Sequence, residues 1–308
     1  MDATAFFKSI AGKRVAFCGI GRSHMPLMEL FKKHEAIVSA RDRRSFQELG
    51  ENGRILQDLG IDLILGKDYL HDLNEDIIFR TPGMPFHLPE LEAARKHGQA
   101  VTSEMELFFK LCPCKIYAVT GSDGKTTTTT LLSEFLKAEG KTVHLGGNIG
   151  RPLLPEIESI SPDHVVVAEL SSFQLISMRQ GPDVAVVTNL APNHLDIHKD
   201  MDEYVDAKKN LVLHQDGFSR TVLNADNEIT AGFKDLVRGD CWQFSRVTEP
   251  ARGAFCDGEK ITVNGQPLMN VEEIKLPGWH NVENYMAAIA AAWGDVSPEN
   301  MRKVAREF

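Results

Sequence analysis

Residues 115–140 restrict the fold more than any other segment, because they predict a β-strand, a tight glycine-containing turn and an α-helix in direct succession. Backbone N–H groups of such a turn and of the helix N-terminus surround phosphate groups, while Lys125 can reach the β- and γ-phosphates and Thr126 can bind Mg²⁺. The full pattern G-x-x-x-x-G-K-[ST] is not met, since Val119 stands at its first glycine. The strand–turn–helix context still favours a phosphate-binding loop over a chance Gly-Lys-Thr sequence.

The composition is that of a globular protein long enough for two domains, with 308 residues, of which 43% are hydrophobic and 25% charged. A net charge of −9 argues against binding to nucleic acid or to a membrane surface. The five cysteines form no C-x-x-C pair and have no zinc-ligand spacing. Neither a signal peptide nor a stretch long enough to span a membrane is visible, so we expect a cytoplasmic protein without membrane insertion.

The first 110 residues alternate predicted strands with helices, which indicates an N-terminal Rossmann-like domain with a parallel sheet. Strands are predicted at residues 14–18, 36–40, 61–65 and 77–80. The pattern G-x-G-x-x-G after the first strand fails at His24, so a generic tight turn and a ligand site are equally good interpretations. Sheets of this kind bind ligands at the carboxyl ends of their strands. Polar residues at the ends of the first two strands therefore favour the ligand site, namely Arg22, Ser23, Asp42, Arg43 and Arg44.

A second α/β unit begins near residue 112 and contains the phosphate-binding loop, which predicts a central domain of P-loop ATPase type. Strands are predicted at residues 164–170, 184–189 and 221–224, helices at 201–214 and 281–293, and a hairpin turn at Asn264-Gly265.

Three polar clusters in this second unit are candidates for chemistry, and each has a plain alternative. Glu169 follows four apolar residues and is either the acidic magnesium partner of the loop or an exposed residue at a strand end. His194, within Asn193-His-Leu-Asp196, offers an imidazole, although a lone loop histidine is more often structural. Lys208, taken alone, is a solvated charge on its predicted helix.

Together these motifs resemble those of the Mur ligases in order and spacing. They are Gly121-Ser-Asp-Gly-Lys-Thr-Thr127, Gly146-Gly-Asn-Ile-Gly150, Ala168-Glu-Leu-Ser-Ser-Phe-Gln174, Asn193-His-Leu-Asp196, Tyr204-Val-Asp-Ala-Lys208 and Gly278-Trp-His-Asn-Val-Glu-Asn284. This family uses a shorter loop pattern, G-x-x-G-K-[ST], and the run Glu-Leu-Ser-Ser-Phe-Gln resembles its D-glutamate-adding members. The resemblance covers essentially the whole chain.

The resemblance implies an ATP-dependent amide ligase that acts in peptidoglycan precursor synthesis. Such an enzyme contributes to cell-wall biogenesis and therefore to cell shape and cell division. ATP phosphorylates the carboxylate of UDP-N-acetylmuramoyl-L-alanine, and the amine of D-glutamate then attacks the acyl phosphate. The implied cofactors are two Mg²⁺ ions and a CO₂-derived carbamate on Lys208, because a carbamate binds metal where an ammonium group is repelled. The expected oligomeric state is a monomer.

The resemblance also implies four sets of site residues. Catalytic roles fall to Lys125, Glu169, His194 and Lys208, and metal binding to Thr126, Glu169, His194 and carbamylated Lys208. ATP binding falls to Gly121, Ser122, Asp123, Gly124, Lys125, Thr126, Thr127, Asn281 and Asn284. Substrate binding falls to Gly21, Arg22, Ser23, Asp42, Arg44, Thr81, Pro82, Gly83, Asn148, Ser171 and Gln174.

Two features depart from the family pattern. Asn193 stands where an aspartate is common, and the chain ends at Phe308, about where the family's third domain begins. We therefore expect a UDP-substrate domain at 1–110, an ATP-binding ligase domain at 111–298 and the start of a linker at 299–308, in a truncated chain without ligase activity of its own. The alternatives are a non-catalytic UDP-sugar-binding module and a folate-polyglutamate-type ligase.

Overall fold

The computed structural model describes residues 2–192 and 199–308, which divide into two compact units. Unit 1 comprises Met1–Cys112 and Arg151–Ser159, and unit 2 comprises Pro113–Gly150 and Ile160–Phe308. The chain therefore enters unit 2, returns to unit 1 for a short segment and re-enters unit 2. No helix among the described residues is long and apolar enough to cross a membrane.

Unit 1 is built on a parallel five-stranded sheet with the strand order β3-β2-β1-β4-β5. Its strands are β1 (Arg14–Cys18), β2 (Ile37–Asp42), β3 (Asp62–Leu65), β4 (Ile77–Arg80) and β5 (Ala100–Thr102). In β1 the four residues after Arg14 are all buried, as expected for a strand covered on both faces. Phe17 stacks on Phe79 of the neighbouring strand with ring centroids 4.8 Å apart.

Helices cover this sheet: α1 (Ala3–Ile10), α2 (His24–Lys33), α3 (Phe46–Leu49), α4 (Glu51–Asp58), α5 (Pro89–Lys96) and α6 (Glu104–Leu111). Side chains that accept backbone N–H groups fix the first turns of three of these helices, with Asp2 at α1, Ser45 at α3 and Ser103 at α6. The returning segment forms a 3₁₀ helix at Leu154–Ser159. Glu104 of α6 holds the start of that segment, because its Oε1 accepts the N–H groups of Leu153 and Leu154.

Unit 2 contains a nine-stranded sheet with the order β14-β13-β12-β11-β10-β9-β6-β8-β7. Its parallel strands are β6 (Lys115–Thr120), β7 (Val143–Gly147), β8 (Val165–Glu169), β9 (Val184–Val187), β10 (Arg220–Asn224), β11 (Asp240–Ser245) and β12 (Gly253–Cys256). Two antiparallel strands, β13 (Lys260–Val263) and β14 (Gln266–Asn270), extend the edge. The predicted hairpin turn joins them, with positive φ at Asn264 and Gly265.

The helices of unit 2 are α7 (Lys125–Ala138), α8 (Ser172–Leu175), α9 (Met201–Leu213), α10 (Glu228–Ala231), α11 (Trp279–Ala292) and α12 (Pro298–Glu307). Helix α11 is alanine-rich and buried along most of its length, which lets it lie close to α7 and the sheet. Residues 299–308 contribute Met301, Val304 and Ala305 to the same hydrophobic core.

The predicted fold class, α/β with parallel sheets, is confirmed in both units. The differences are small and lie at element ends. Strand β2 continues through Asp42, two residues beyond the predicted end, and β9 stops at Val187, two residues short of it. Helix α11 begins at Trp279, two residues early, because Gly278 at its N-cap has a φ of 99°. Both β1 and β4 have the predicted bounds.

Candidate functional site

The turn between β6 and α7 is shaped by two glycines with positive φ, Gly121 at 152° and Gly124 at 75°. A Cβ atom at Gly121 would overlap Thr188 Oγ1, and one at Gly124 would overlap Asn284 Oδ1. Both positions therefore need glycine for two reasons, backbone conformation and space. The turn leads directly into α7, so the N–H groups of that helix N-terminus lie where the sequence predicts anion binding.

Side chains from the neighbouring strand ends hold this turn in place. Ser122 Oγ donates to Ala191 O at 3.0 Å and lies 2.8 Å from the hydroxyl of Tyr204. The N–H of Asp123 donates to Asn189 Oδ1 at 3.0 Å, and Thr188 Oγ1 donates to Asp123 O at 2.6 Å. The loop backbone is thus preorganised, which is what phosphate recognition by N–H groups requires.

Lys125, Thr126 and Glu169 come together at the start of α7. Lys125 Nζ donates to Ser122 O at 2.9 Å, which keeps the ammonium group over the loop. Thr126 Oγ1 donates to Glu169 Oε2 at 2.7 Å, and Asn148 Nδ2 donates to the other carboxylate oxygen at 2.8 Å. Glu169 is only 1% exposed, so the interpretation of it as a solvated strand-end residue is wrong.

A hydroxyl group and a carboxylate side by side are the oxygen donors that Mg²⁺ prefers, so Thr126 and Glu169 fit the predicted metal site. In the described part of the chain, no group of three or more His, Cys, Asp and Glu side chains could hold a metal ion. His194, Asn193 and Asp196 lie outside the described residues, so the role of His194 as a metal ligand stays a prediction.

Lys208 lies on α9 and is 2% exposed, which excludes the solvated helix charge that it would be if taken alone. Its Nζ donates to Gly121 O at 2.9 Å and to Thr120 Oγ1 at 3.1 Å. Burial, together with the charge of Lys125, lowers the pKa of Lys208 to about 7. By contrast, its neighbour Lys209 pairs with Asp206 at 2.7 Å on the surface of the same helix.

Asn281 and Asn284, predicted to lie near the nucleotide, link α11 to α7. Asn284 Oδ1 accepts Thr128 Oγ1 at 3.2 Å, and its Nδ2 donates to Asn281 Oδ1 at 3.2 Å. Asn281 Nδ2 donates to Pro277 O at 2.7 Å. Asn284 therefore holds the N-terminal part of α11 against α7, and Asn281 holds the Asn284 amide.

Ser171 and Gln174 form a capping box at the short helix α8. Gln174 Oε1 accepts both the N–H and the hydroxyl of Ser171 at 3.0 Å, while the N–H of Gln174 donates back to Ser171 Oγ at 3.3 Å. These bonds give both residues a structural role directly after Glu169. Their predicted contact with the substrate stays a prediction.

Unit 1 has its own cavity, of about 540 Å³, at the carboxyl ends of its strands. Five of the predicted substrate-binding residues line it, namely Gly21, Asp42, Arg44, Thr81 and Gly83. The other three from this unit, Arg22, Ser23 and Pro82, are not among the lining residues, although each is within two positions of one in sequence. A cavity of this size suits a nucleotide-sized ligand.

Asp42 fixes one side of this cavity. Its carboxylate accepts the N–H groups of Ile20 at 2.7 Å and of Arg44 at 2.9 Å, as well as the Arg44 guanidinium at 2.8 Å. These bonds outweigh the effect of burial and lower the pKa of Asp42. Asp42 thus joins the turn after β1 to the segment after β2, and the Arg44 side chain remains 40% exposed.

Several lining residues were missed by the sequence analysis. Tyr69, Met84, Pro85 and Leu88 supply apolar surface to the cavity. They follow strands β3 and β4, and this position in the sequence was the one signal that could have identified them. Apolar residues after a strand, however, look the same in sequence as residues of the hydrophobic core. In unit 2, Asn189 was predicted only as a strand end, although its side chain binds the phosphate loop.

The protein-family model named Mur ligase middle domain matches residues 119–292, which is more than half of the chain. The chain belongs to the Mur ligase family. The matched stretch contains the phosphate-binding loop, Glu169, Lys208, and Asn281 and Asn284 of α11.

Mur ligase relatives with high similarity carry the name UDP-N-acetylmuramoylalanine--D-glutamate ligase. The protein of Clostridium kluyveri is 47% identical over 304 residues, which cover 98% of this chain and 66% of the relative. That of Clostridium tetani is 46% identical over 308 residues, which cover 100% and 67%. The chain thus spans about two thirds of the length of these relatives.

Solved structures of Mur ligases share the fold. UDP-N-acetylmuramate:L-alanyl-gamma-D-glutamyl-meso-diaminopimelate ligase from Neisseria meningitides has a TM-score of 0.65 at 22% identity, and the match covers 97% of this chain and 98% of that one. UDP-N-acetylmuramate-alanine ligase from Thermotoga maritima has a TM-score of 0.59 at 20% identity, with 96% and 68% covered.

Proposed function

We propose that this chain belongs to an ATP-dependent ligase that adds D-glutamate to UDP-N-acetylmuramoyl-L-alanine in peptidoglycan precursor synthesis. The observation that supports this most is the convergence of Lys125, Thr126, Glu169 and Lys208 on one loop whose glycines tolerate no side chain. The relatives at 46–47% identity, all named for D-glutamate ligation, support the choice of amino acid. We also infer a monomer that acts in the cytoplasm and binds no nucleic acid.

In this proposal the loop 121–127 binds the ATP phosphates. Its N–H groups and Lys125 bind phosphate oxygens and offset the negative charge that grows as the γ-phosphoryl group moves to the substrate carboxylate. Thr126 and Glu169 would hold Mg²⁺, which supplies positive charge to the phosphates and the reacting oxygens. Asn148 keeps the Glu169 carboxylate oriented by its 2.8 Å hydrogen bond.

Lys208 is proposed to be carbamylated and to hold a second Mg²⁺ together with His194. The nitrogen lone pair of the neutral amine attacks the carbon of CO₂, a C–N bond forms, one C=O pair moves onto oxygen and one proton leaves the nitrogen. Burial favours this reaction, because it lowers the pKa of Lys208 to about 7 and so leaves much of the amine neutral. The resulting anion would balance the charge of the ion near Gly121 and Thr120.

Unit 1 is proposed to bind the uridine diphosphate portion in its cavity, through Gly21, Asp42, Arg44, Thr81 and Gly83. Arg22, Ser23 and Pro82, which lie within two positions of these residues in sequence, are included in the proposal. The muramoyl-alanine portion is assigned to Asn148, Ser171 and Gln174 of unit 2, and the adenosine portion of ATP to Asn281 and Asn284. In this scheme unit 1 serves as the UDP-substrate domain and unit 2 as the ATP-binding ligase domain.

Calorimetry of the 308-residue chain tests the proposal. We expect Mg-ATP and UDP-N-acetylmuramoyl-L-alanine to bind independently, and Lys125→Ala to weaken nucleotide binding by roughly 1.5–3 kcal/mol, the value of a hydrogen bond to a charged group. Lys137→Ala is the matched control, since Lys137 lies on the same helix and pairs with Glu134 on the surface. Failure of the uridine substrate to bind would contradict the assignment, and binding of folate in its place would favour the folate-polyglutamate alternative.

A further inference from the structure

Arg80 is a buried cation beside the unit 1 cavity to which neither the family motifs nor the sequence analysis assigns a role. It is the last residue of β4, is 2% exposed, and lies opposite Cys18 of β1 in the sheet register. Burial lowers the pKa of Arg80 to about 10, so the guanidinium remains charged at neutral pH. A buried charge is costly unless its hydrogen bonds are satisfied.

Three hydrogen-bond contacts of Arg80 go to the turn that follows it. Its Nη1 lies 2.7 Å from Met84 O, 3.1 Å from Pro82 O and 3.2 Å from Thr81 O. The same turn is closed by a hydrogen bond from the N–H of Met84 to Thr81 O at 3.0 Å. One side-chain nitrogen therefore draws three carbonyl groups of the turn, those of Thr81, Pro82 and Met84, toward the protein interior.

The orientation of these carbonyls determines where the turn's N–H groups point. In a trans peptide the C=O and the N–H of one unit point in opposite directions, and the chain has no cis peptide among the described residues. Because Pro82 O faces Arg80, the N–H of Gly83 points away from it. Arg80 also contacts the carbonyl groups of Thr81 and Met84. Each of these residues is followed by a proline, so those two peptide units have no N–H.

Gly83 lines the cavity, and it can do so only with backbone atoms. Its N–H donates no hydrogen bond to any of the described residues, and a Cβ atom built on it would meet nothing within 4 Å. An N–H that no described residue accepts and that borders an open cavity is a donor available to a ligand. An anionic oxygen is the acceptor that benefits most from such a donor.

We propose that Arg80 is a positioning residue that turns the Gly83 N–H toward a phosphate oxygen of a nucleoside diphosphate in the unit 1 cavity. The inference rests on the proposed function, which places a uridine diphosphate group there. Arginine suits the role better than lysine because its planar guanidinium stays charged and presents several donors in a fixed geometry.

Neighbouring residues hold this arrangement together. The Arg95 guanidinium lies 4.2 Å from the ring centroid of Phe86 and donates to Phe86 O from both terminal nitrogens at 3.2 Å. The Arg80 guanidinium is on the same ring at 5.8 Å. Phe86 thus lies against two arginines, which restrains the chain immediately beyond the turn.

The test compares uridine with UDP, because only UDP can use a phosphate donor. In calorimetry of the 308-residue chain we expect Arg80→Ala to weaken UDP binding about tenfold or more while uridine binding changes much less. Arg80→Lys should recover part of the loss, and added methylguanidinium should recover part of it in Arg80→Ala. Arg54→Ala is the matched control, since Arg54 is an exposed arginine of the same unit.

A second measurement does not depend on a stable variant. In the unsubstituted chain the Gly83 amide proton should move downfield with UDP and remain nearly unchanged with uridine. Equal losses of uridine and UDP affinity in Arg80→Ala, or an unresponsive Gly83 amide in a chain that binds UDP, would overturn the role of Arg80 and leave the proposed function intact. Absence of UDP binding by the unsubstituted chain would overturn both.

Discussion

Thr126 and Glu169 are joined by a 2.7 Å hydrogen bond from the threonine hydroxyl to the carboxylate, at the point where α7 begins and β8 ends. The two residues are 43 positions apart in sequence, and adjacent strands bring them together because β6 and β8 pair in parallel with Val119 opposite Glu169. Asn148 occupies the other carboxylate oxygen. The carboxylate is therefore held on both sides by the groups that flank the proposed magnesium site.

This pair predicts that Glu169→Gln lowers the affinity for Mg-ATP about tenfold, since the amide removes the negative charge that binds Mg²⁺ and leaves the hydroxyl contact possible. The effect should depend on magnesium, so binding of ATP in the presence of a chelator should change little. Calorimetry with and without Mg²⁺ measures the difference. Glu134→Gln, on the exposed face of α7, is the control, and an equal loss in both conditions would argue against a metal-binding role.

A second prediction concerns CO₂ capture by Lys208. Only the neutral amine reacts, and with a pKa of about 7 its neutral fraction rises as the pH increases through neutrality. In ¹³C-bicarbonate at constant dissolved CO₂, a carbamate signal should therefore grow above about pH 7 in the unsubstituted chain. Lys208→Ala should lack the signal and Lys209→Ala, its exposed neighbour, should retain it. A signal that persists in Lys208→Ala would assign the carbamate elsewhere.

Asp42 and Arg44 should respond differently to substitution, although they contact each other. Either change to Ala is expected to weaken binding of the uridine substrate by roughly 1–3 kcal/mol. Asp42→Ala should also lower the free energy of unfolding, because the N–H groups of Ile20 and Arg44 lose their acceptor. Arg44→Ala should affect stability less, since its side chain is 40% exposed. Parallel calorimetry and urea unfolding separate the two effects, and identical stability losses would contradict this division.

The fold was predictable because its signals are local. The strand, glycine turn and helix around Lys125 follow directly from apolar spacing and turn chemistry, and the bounds of β1 and β4 were predicted correctly. The contacts of the site were not predictable in this way, because they join distant segments. The burial of Lys208 against Thr120 and Gly121 depends on where α9 packs, which no local pattern specifies. The same holds for Arg80, whose burial appears only once the turn after β4 is folded around it.

Glu104 allows a prediction of pH-dependent stability in unit 1. It is 3% exposed, and its Oε1 accepts the N–H groups of Leu153 at 2.9 Å and Leu154 at 3.2 Å. Burial raises its pKa from 4.5 to about 7 despite these two bonds. Between these values the folded chain holds one proton more than the unfolded chain, so the free energy of unfolding falls as the pH rises through this window.

The full change corresponds to roughly 3 kcal/mol at 1.36 kcal/mol per pKa unit. Glu104→Gln keeps an oxygen for the two N–H groups and cannot ionise, so it should remove this part of the pH dependence. Urea unfolding at about pH 5 and about pH 8 measures it, with Glu29→Gln on the exposed face of α2 as the control. Equal losses of stability in Glu104→Gln and the unsubstituted chain over this range would contradict the prediction. Glu104 would then be ionised in the folded protein throughout, and a carboxylate would hold the returning segment 151–159 at every pH tested.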